Sequence, residues 1–316
     1  MKANSAAASP AGESCGIAAL TGPARLPFLV LLLCALVASS CGGNGTDDKL
    51  TTLERIKREG VVRVGYANEA PYAYVAEGKG LTGESPEIAR VIFARMGVDR
   101  IEGVLTEFGS LIPGLKAGRF DIIAAGMYIT PERAKEIAFS QPTYGIGEAF
   151  IVQAGNPLDL HSYQDVAAND EATLGVVAGT VERGYARSTG IPSNRVAVFP
   201  DAPSAMEGVR AGRVDAYAGT SLTIQYLLDR AEDERIERAE PFANPVVDGQ
   251  EVRGYGAFGI RQQDHDLLEA INRQLADFIG SEAHQKLVRP FGFTENDLPG
   301  DVTTAMLIGA KAARGL

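Results

Sequence analysis

The chain has 316 residues, of which 45% are hydrophobic and 22% charged, and its formal net charge is −10 at pH 7. This length is enough for two core-forming units, and the composition is that of an ordinary globular protein. The negative balance without a basic stripe excludes a nucleic-acid-binding protein, because such proteins neutralise phosphates with lysine and arginine.

The N-terminal segment, residues 1–40, has the pattern of an export signal. Its apolar run at residues 28–38 follows a basic residue and is too short to span a bilayer, which is typical of a signal peptide. Small residues directly before Cys41 resemble a bacterial lipobox, so we expect lipid on Cys41 to anchor the protein to the outer face of the cell membrane. The alternative is ordinary cleavage near Ser39, which would leave a free periplasmic protein. Residues 41–50 read as a polar, glycine-rich tether.

Cysteine and histidine carry no chemistry in the predicted folded part. The three cysteines are Cys15, Cys34 and Cys41, so we expect neither a disulfide nor thiol chemistry beyond the anchor. The three histidines are scattered without the spacing of metal ligands. We therefore expect no metal, no cofactor and no catalytic residue of these types.

After the tether, glycine-bounded apolar runs alternate with capped amphipathic segments. The first half predicts helix 50–58, strand 60–66, helix 85–96 with Ser85 as its cap, helix 110–117, strand 121–126 and helix 131–138. The second half predicts strand 172–177, helix 181–188, strand 195–199, helix 203–211, strand 215–218, helix 221–231, strand 256–260, and helices 266–279 and 282–288. Such alternation predicts parallel α/β sheets. The tail after Pro299 has weak periodicity, and we expect it to be loosely ordered.

A sequence repeat indicates two similar lobes. Residues 114–124 (GLKAGRFDIIA) return as residues 208–218 (GVRAGRVDAYA), and each copy reads as a helix end, a glycine stop and an Arg-apolar-Asp start of a strand. Two crossings between the lobes would form a hinge, and the cleft between them is where a small ligand binds. The predicted boundaries are residues 51–149 and 255–300 for lobe one, 150–254 for lobe two, and 301–316 for a C-terminal tail.

Polar and aromatic residues follow the predicted strands, at the edge where open α/β sheets bind ligands. Arg133 can hold a carboxylate with two parallel hydrogen bonds, while aromatic faces attract a cation that Glu69 can also pair with. Taken singly, each residue could instead be a core aromatic, a solvated helix residue or a simple cap. The candidate ligand contacts are Glu69, Tyr72, Phe108, Tyr128 and Arg133 in lobe one, with Gly179 and Thr180 at a strand-to-helix junction in lobe two that favours anions.

The order of these motifs resembles the family 3 extracellular solute-binding proteins of ABC importers over roughly residues 51–296. The segments that carry the resemblance are GVVRVGYANEAPY, LIPGLKAGRFDIIAAGMYITPERAKEIAFSQP, VVAGTVE, GVRAGRVDAYAG and LVRPFGF. Within that family, ANEAPY, AFSQP and EAFIVQAGNPL are most similar to ectoine- and hydroxyectoine-binding proteins. The resemblance implies a two-lobed periplasmic-binding-protein fold of type II, a monomer with membrane permease subunits as partners, and the same lobe-one contacts together with Thr180.

Two positions depart from the family pattern. Amino-acid receptors of this family commonly carry an acid five residues after the second GR-x-D motif, where it pairs with the α-ammonium. Here that position is Thr220, which disfavours ordinary α-amino acids and joins the candidate ligand contacts. The second is Val181, which stands where ectoine-type sites are more acidic.

The function these patterns favour is a lipid-anchored binding protein for a small zwitterionic compatible solute, ectoine or hydroxyectoine. The alternative is a receptor of the same family for a polar or cationic amino acid. A remote alternative is an enzyme similar to cyclohexadienyl dehydratases, for which Glu69 and Glu182 are the candidate acid–base groups.

Overall fold

The computed structural model describes residues 50–247 and 249–312. The predicted signal peptide at residues 1–40, the lipidation site Cys41 and the tether up to residue 49 lie outside this part of the chain. Across the two described ranges, no helix combines the length and the apolar character that a membrane span requires.

Helices and strands alternate along most of the described chain. The helices are α1 (Thr52–Glu59), α2 (Glu84–Arg95), α3 (Leu111–Lys116), α4 (Pro131–Ala134), α5 (Tyr163–Ala168), α6 (Glu182–Ser188), α7 (Ala202–Arg210), α8 (Ser221–Ala231), α9 (His265–Ala276), α10 (Glu282–Val288) and α11 (Thr304–Ala312). The strands are β1 (Val61–Tyr66), β2 (Tyr74–Ala76), β3 (Gly80–Thr82), β4 (Arg100–Leu105), β5 (Ile122–Ile123), β6 (Ala138–Phe139), β7 (Tyr144–Ile146), β8 (Glu148–Gln153), β9 (Leu174–Val177), β10 (Val196–Phe199), β11 (Ala216–Thr220), β12 (Ile236–Arg238), β13 (Val246–Val247), β14 (Gln250–Glu251), β15 (Gly254–Gly256) and β16 (Gly259–Ile260).

Lobe one is built on a five-stranded sheet with the order β4-β1-β5-β16-β6. Strand β1 is parallel to β4 and β5, whereas β16 is antiparallel to β5 and β6. The neighbours Ile122 and Ile123 pack into two different hydrophobic clusters, one on each face of the sheet. Burial on both faces explains why this strand reads as a continuous apolar run.

Lobe two has a second five-stranded sheet, with the order β10-β9-β11-β8-β12. Strand β9 is parallel to β10 and β11, while β8 is antiparallel to β11 and β12. The prediction of parallel sheets is therefore wrong in one respect, since both sheets are mixed. The reason is that β8 and β16 enter their sheets from the other lobe and not through a crossover helix.

The two chain crossings between the sheets lie side by side. The chain leaves lobe one through β7 into β8 and returns through β15 into β16. Strands β7 and β15 pair antiparallel, with Ile146 opposite Gly254 and Tyr144 opposite Gly256. The predicted two-lobed fold with two crossings is confirmed, and this two-stranded ribbon is its hinge region.

The repeated motif makes the same contact in both lobes. In each copy a glycine with positive φ ends the helix. The carboxylate of Asp121 then accepts the Arg63 amide at 2.9 Å, while its own amide donates to the Arg63 carbonyl at 2.9 Å. Asp215 forms the same reciprocal pair with Thr173, at 2.8 and 3.0 Å. The repeat therefore sets the register between two parallel strands of each sheet.

Two predicted element boundaries change for local reasons. Helix α2 is capped by Gly83 and not by Ser85, because φ at Gly83 is 121°, a conformation that glycine tolerates and serine does not. The Ser85 hydroxyl instead donates to the Glu84 carboxylate at 2.6 Å. The single strand predicted at 256–260 is two strands, because the chain there changes partner from β7 to β5.

The segment after Pro299 is more ordered than expected. It forms α11, which packs against α4. Leu307 and Ile308 join the apolar cluster that includes Ala134, and the Thr304 hydroxyl donates to the Ser140 carbonyl. The sequence did not predict this helix because it lacks a strong apolar stripe. Packing against lobe one stabilises it instead.

Candidate ligand-binding site

A small cavity lies between the lobes at the ends of their strands. Its volume is about 20 Å³, little more than a single water molecule needs, so the side chains of its wall nearly fill it. Gly179 lies outside it, in the adjoining groove. The structure brings the other candidate residues together on its wall, together with three further ones; the complete wall is Glu69, Tyr72, Phe108, Gly126, Tyr128, Arg133, Thr180, Val181, Glu182 and Thr220.

Arg133 is held at the seam between the lobes. Thr130 caps the short helix α4, and its hydroxyl accepts the Arg133 amide at 3.2 Å. The guanidinium donates to the Tyr128 carbonyl at 2.8 Å and, across the cleft, to the Gly179 carbonyl at 2.9 Å. It also lies 5.4 Å from the centre of the Phe108 ring. Two neutral carbonyls thus orient a cation that lines the cavity and has further donors for an anion.

The three aromatic residues of the wall are all buried, but they differ in their contacts with other side chains. Tyr72 is 1% exposed, stacks on Tyr144 with 5.1 Å between ring centres, and donates to the Thr220 hydroxyl at 2.9 Å. Tyr72 therefore also joins the lobes. Phe108 and Tyr128 are 8% and 4% exposed. In the described part of the chain, the Tyr128 hydroxyl has no hydrogen-bond partner.

Acidic groups outnumber cations around the cavity. Glu69 accepts a hydrogen bond from the Thr223 hydroxyl of lobe two at 3.1 Å, and burial, helped by the nearby Glu182 charge, raises the pKa of Glu69 to about 7. Glu182 begins α6 and is 4% exposed, and burial raises the pKa of Glu182 as well. An excess of carboxylates favours a ligand with a cationic part. Over the described ranges, the acids and histidines form no group suited to a metal ion.

Direct contacts hold the lobes together around the cavity. The Thr223 hydroxyl lies 3.2 Å from the Ala70 carbonyl of lobe one, in addition to its bond to Glu69. Next to the Arg133 contact, the Gly109 and Gly179 backbones are so close that a β-carbon on Gly179 would lie 2.5 Å from the Gly109 α-carbon. The structure therefore shows a closed cleft.

Lobe two differs locally from the prediction. Helix α6 begins at Glu182, and Val181 occupies its N-cap without a side-chain hydrogen bond. The Thr180 hydroxyl donates back to the Val177 carbonyl at 2.9 Å. Thr180 thus lines the cavity, but its hydroxyl hydrogen stabilises its own loop.

Sequence reasoning missed Gly126 and Glu148 as part of the site region. Gly126 has a positive φ of 66°, and a β-carbon there would lie 2.5 Å from the Tyr72 ring, so glycine makes room for the aromatic wall. The sequence signal for this role was the glycine at the end of the predicted strand 121–126, where the chain approaches the ligand edge of the sheet. Glu148 is buried in β8 directly opposite Thr220 of β11. No local signal reveals Glu148, since its position depends on pairing between distant strands.

Replacing Tyr128 with alanine should weaken ligand binding by about 1–3 kcal/mol, because an aromatic face against a desolvated cation contributes on this scale. Calorimetric titration measures the loss, and thermal unfolding of the free variant separates it from a folding defect. Tyr128→Phe is the matched control: it keeps the ring and removes a hydroxyl without a partner among the described residues, so its affinity should stay close to that of the parent. Unchanged affinity in Tyr128→Ala would assign the ring to the core alone.

Comparisons with known proteins agree with this geometry. The model of the bacterial extracellular solute-binding proteins, family 3, matches residues 62–294. A probable amino-acid ABC transporter periplasmic-binding protein, y4tE of Sinorhizobium fredii, is 34% identical over 260 residues, which cover 81% of this chain and 85% of the relative.

Two solved structures share the fold. A crystal structure of EhuB in complex with hydroxyectoine has a TM-score of 0.74 and 35% identity, and the match covers 82% of this chain and 98% of EhuB. The ancestral amino acid-binding protein AncCDT-1, a precursor of cyclohexadienyl dehydratase, has a TM-score of 0.66 and 26% identity, with coverages of 76% and 99%.

Proposed function

Because the chain belongs to the bacterial extracellular solute-binding proteins of family 3, we propose that it captures a small zwitterionic solute of the ectoine class by closure of its two lobes. At the coarser level, it is a substrate-binding protein of an ABC transporter for amino acids or related solutes, and not an enzyme. Its partners are accordingly a small-molecule ligand and the permease subunits in the membrane. It works on the extracytoplasmic side, where this family acts.

The observation that carries the proposal is the pairing of opposite charges across one small cavity. Arg133 is oriented by two backbone carbonyls and can hold a carboxylate, while Glu69 and Glu182 lie on the same wall for a cation. Aromatic rings on the same wall favour a delocalised cation. The likeness to EhuB, whose structure contains hydroxyectoine, supports a cyclic zwitterion of that kind as the ligand.

The second candidate ligand is a polar or cationic amino acid. It is favoured by the similarity to y4tE, a probable amino-acid transporter component, and by buried acids that can accept from an ammonium group. Against it stands Thr220, which offers a hydroxyl and no charge to the α-ammonium. That hydroxyl already accepts from Tyr72 and from the Thr223 amide.

A calorimetric panel distinguishes these ligands. We expect ectoine or hydroxyectoine to bind with micromolar or tighter affinity, and arginine, glutamine, histidine and cystine to bind far more weakly or not at all. The reverse order would overturn the ectoine proposal in favour of an amino-acid receptor. Titration with glycine betaine completes the panel, because this zwitterion has the same charges but no N–H donor on its cation.

A further inference from the structure

Lobe two contains two buried carboxylates that interact with each other, and only one of them, Glu182, has been given a role so far. This acid pair consists of Glu148 on β8 and Glu182 at the start of α6, and each residue is 4% exposed. Within the described residues, both carboxylate oxygens of Glu148 and one of Glu182 lack a hydrogen-bond partner. Burying a charged carboxylate without donors costs several kcal/mol, so N–H donors from a ligand would stabilise the charged form of this pair.

The place of the acid pair connects it to the ligand. Glu182 lines the cavity itself. Glu148 faces Thr220 across the antiparallel pairing of β8 with β11, and Thr220 also lines the cavity. Directly opposed residues of an antiparallel pair project on the same face of the sheet. Amino-acid receptors of this family commonly carry an acid at the position of Thr220. Here the carboxylate of Glu148 lies on the neighbouring strand, directly opposite that position.

We propose that the acid pair replaces the carboxylate missing at Thr220, and that it binds a ligand cation carrying at least two N–H donors, such as an amidinium. This inference rests on the proposed function and specifies the ligand class further. A fully alkylated ammonium has no N–H group for these oxygens and would leave them without partners in the closed cleft. A cyclic amidinium, by contrast, has two N–H groups that point in diverging directions, so each can donate a charge-assisted hydrogen bond to a different carboxylate of the pair.

Protonation of the acid pair gives a signature that a purely structural role would not produce. Burial raises the pKa of both carboxyls, and their mutual repulsion adds to the rise for Glu148, so the pair holds its protons to a higher pH than exposed glutamates do. A bound cation lowers these pKa values and therefore favours proton release. The ionisable groups that face the pair are Glu69, Tyr72, Tyr128 and Arg133 from lobe one and Tyr163, Tyr185 and Tyr217 from lobe two.

The test combines Glu148→Gln and Glu182→Gln with two probe ligands, ectoine and proline betaine. The second probe is a carboxylate zwitterion whose cation has no N–H donor. We expect the parent protein to prefer ectoine, and each variant to lose about tenfold or more of its ectoine affinity, because hydrogen bonds to charged groups contribute on this scale. Calorimetric titration with ectoine near pH 7, repeated in buffers of different ionisation enthalpy, measures the number of protons released on binding. We expect the parent protein to release more protons than either variant.

Glu84→Gln is the matched control. Glu84 is a fully buried carboxyl in lobe one whose pKa burial raises to about 7, and it does not line the cavity. Its variant should bind ectoine like the parent. All three glutamine variants should fold, since removing a buried carboxyl's charge relieves desolvation, and thermal unfolding checks this.

The outcomes separate the two claims. A parent that binds ectoine, with Glu148→Gln and Glu182→Gln unchanged in affinity and proton release, would overturn the role of the acid pair and leave the proposed function standing. If the parent protein bound proline betaine as tightly as ectoine or more tightly, the role of the acid pair would likewise be overturned and the proposed function would stand. A parent that binds neither ectoine nor any amino acid of the panel would overturn both.

Discussion

Replacing Arg133 with alanine should reduce affinity for a carboxylate ligand about a hundredfold or more, because removing one member of a desolvated, hydrogen-bonded charge pair costs several kcal/mol. The effect is large since this guanidinium both faces the cavity and joins the lobes through the Gly179 carbonyl. Arg133→Lys should recover part of the loss, as lysine keeps the charge but not the planar fork that matches a carboxylate. Calorimetric titration measures all three proteins.

Arg187→Ala is the matched control for Arg133. Arg187 is exposed in the groove beside the cavity and does not line the cavity itself. Its removal should change affinity by less than about threefold, since exposed charges are screened by solvent and salt. If Arg133→Ala kept its parent affinity, or if Arg187→Ala lost as much, the carboxylate would bind somewhere other than the proposed position.

The variant Gly179→Ala should also lose about a hundredfold in affinity, although it removes no ligand contact. A β-carbon at Gly179 would lie 2.5 Å from the Gly109 α-carbon and 2.9 Å from its amide nitrogen, so the lobes could not close to the separation seen here. A ligand that binds the closed state far better than the open one loses affinity as closure becomes costlier. Small-angle X-ray scattering should show that saturating ligand compacts the parent but not this variant.

Two alanine controls isolate the clash from other effects of the substitution. Gly109→Ala adds a β-carbon on the opposite wall, where the nearest atoms lie at 3.6 Å, an ordinary contact distance, and closure should persist. Gly190→Ala imposes strain at a similar positive φ of 89° with nothing within 4 Å. Its expected effect is on stability and not on affinity. Normal closure and affinity in Gly179→Ala would contradict the inter-lobe contact.

Local signals predicted much of the fold. Helices α8 and α10 have the predicted bounds because a hydroxyl caps each one: Thr220 accepts the Thr223 amide and Ser281 accepts the His284 amide. The repeat likewise indicated two lobes, since its aspartates make equivalent contacts in both. Strand β5, by contrast, is shorter than its apolar run: in the described chain its ladder with β1 comprises Ile122 and Ile123, and the flanking Asp121 and Ala124 contribute single amide hydrogen bonds.

Features that depend on distant partners escaped prediction. The antiparallel direction of β8 and β16 follows from where the chain crosses between lobes, which periodicity does not encode. The same holds within the site. Tyr128 and Arg133 lie close together in sequence and could be identified from it, whereas Glu148 acquires its neighbour only through the pairing of β8 with β11.

The position of β16 in the chain bears on the order in which the protein is assembled. The sheet of lobe two uses a continuous stretch, from β8 to β12, and all of its strands have been synthesised once the chain passes Arg238. Among the described strands, β6 pairs in its own sheet with β16 alone, and β16 follows that entire stretch. Domains generally fold as units while the chain grows. Lobe two therefore has all of its strands available before lobe one does, although synthesis of lobe one starts earlier. Lobe one can complete its sheet after the chain has returned from lobe two and supplied β16.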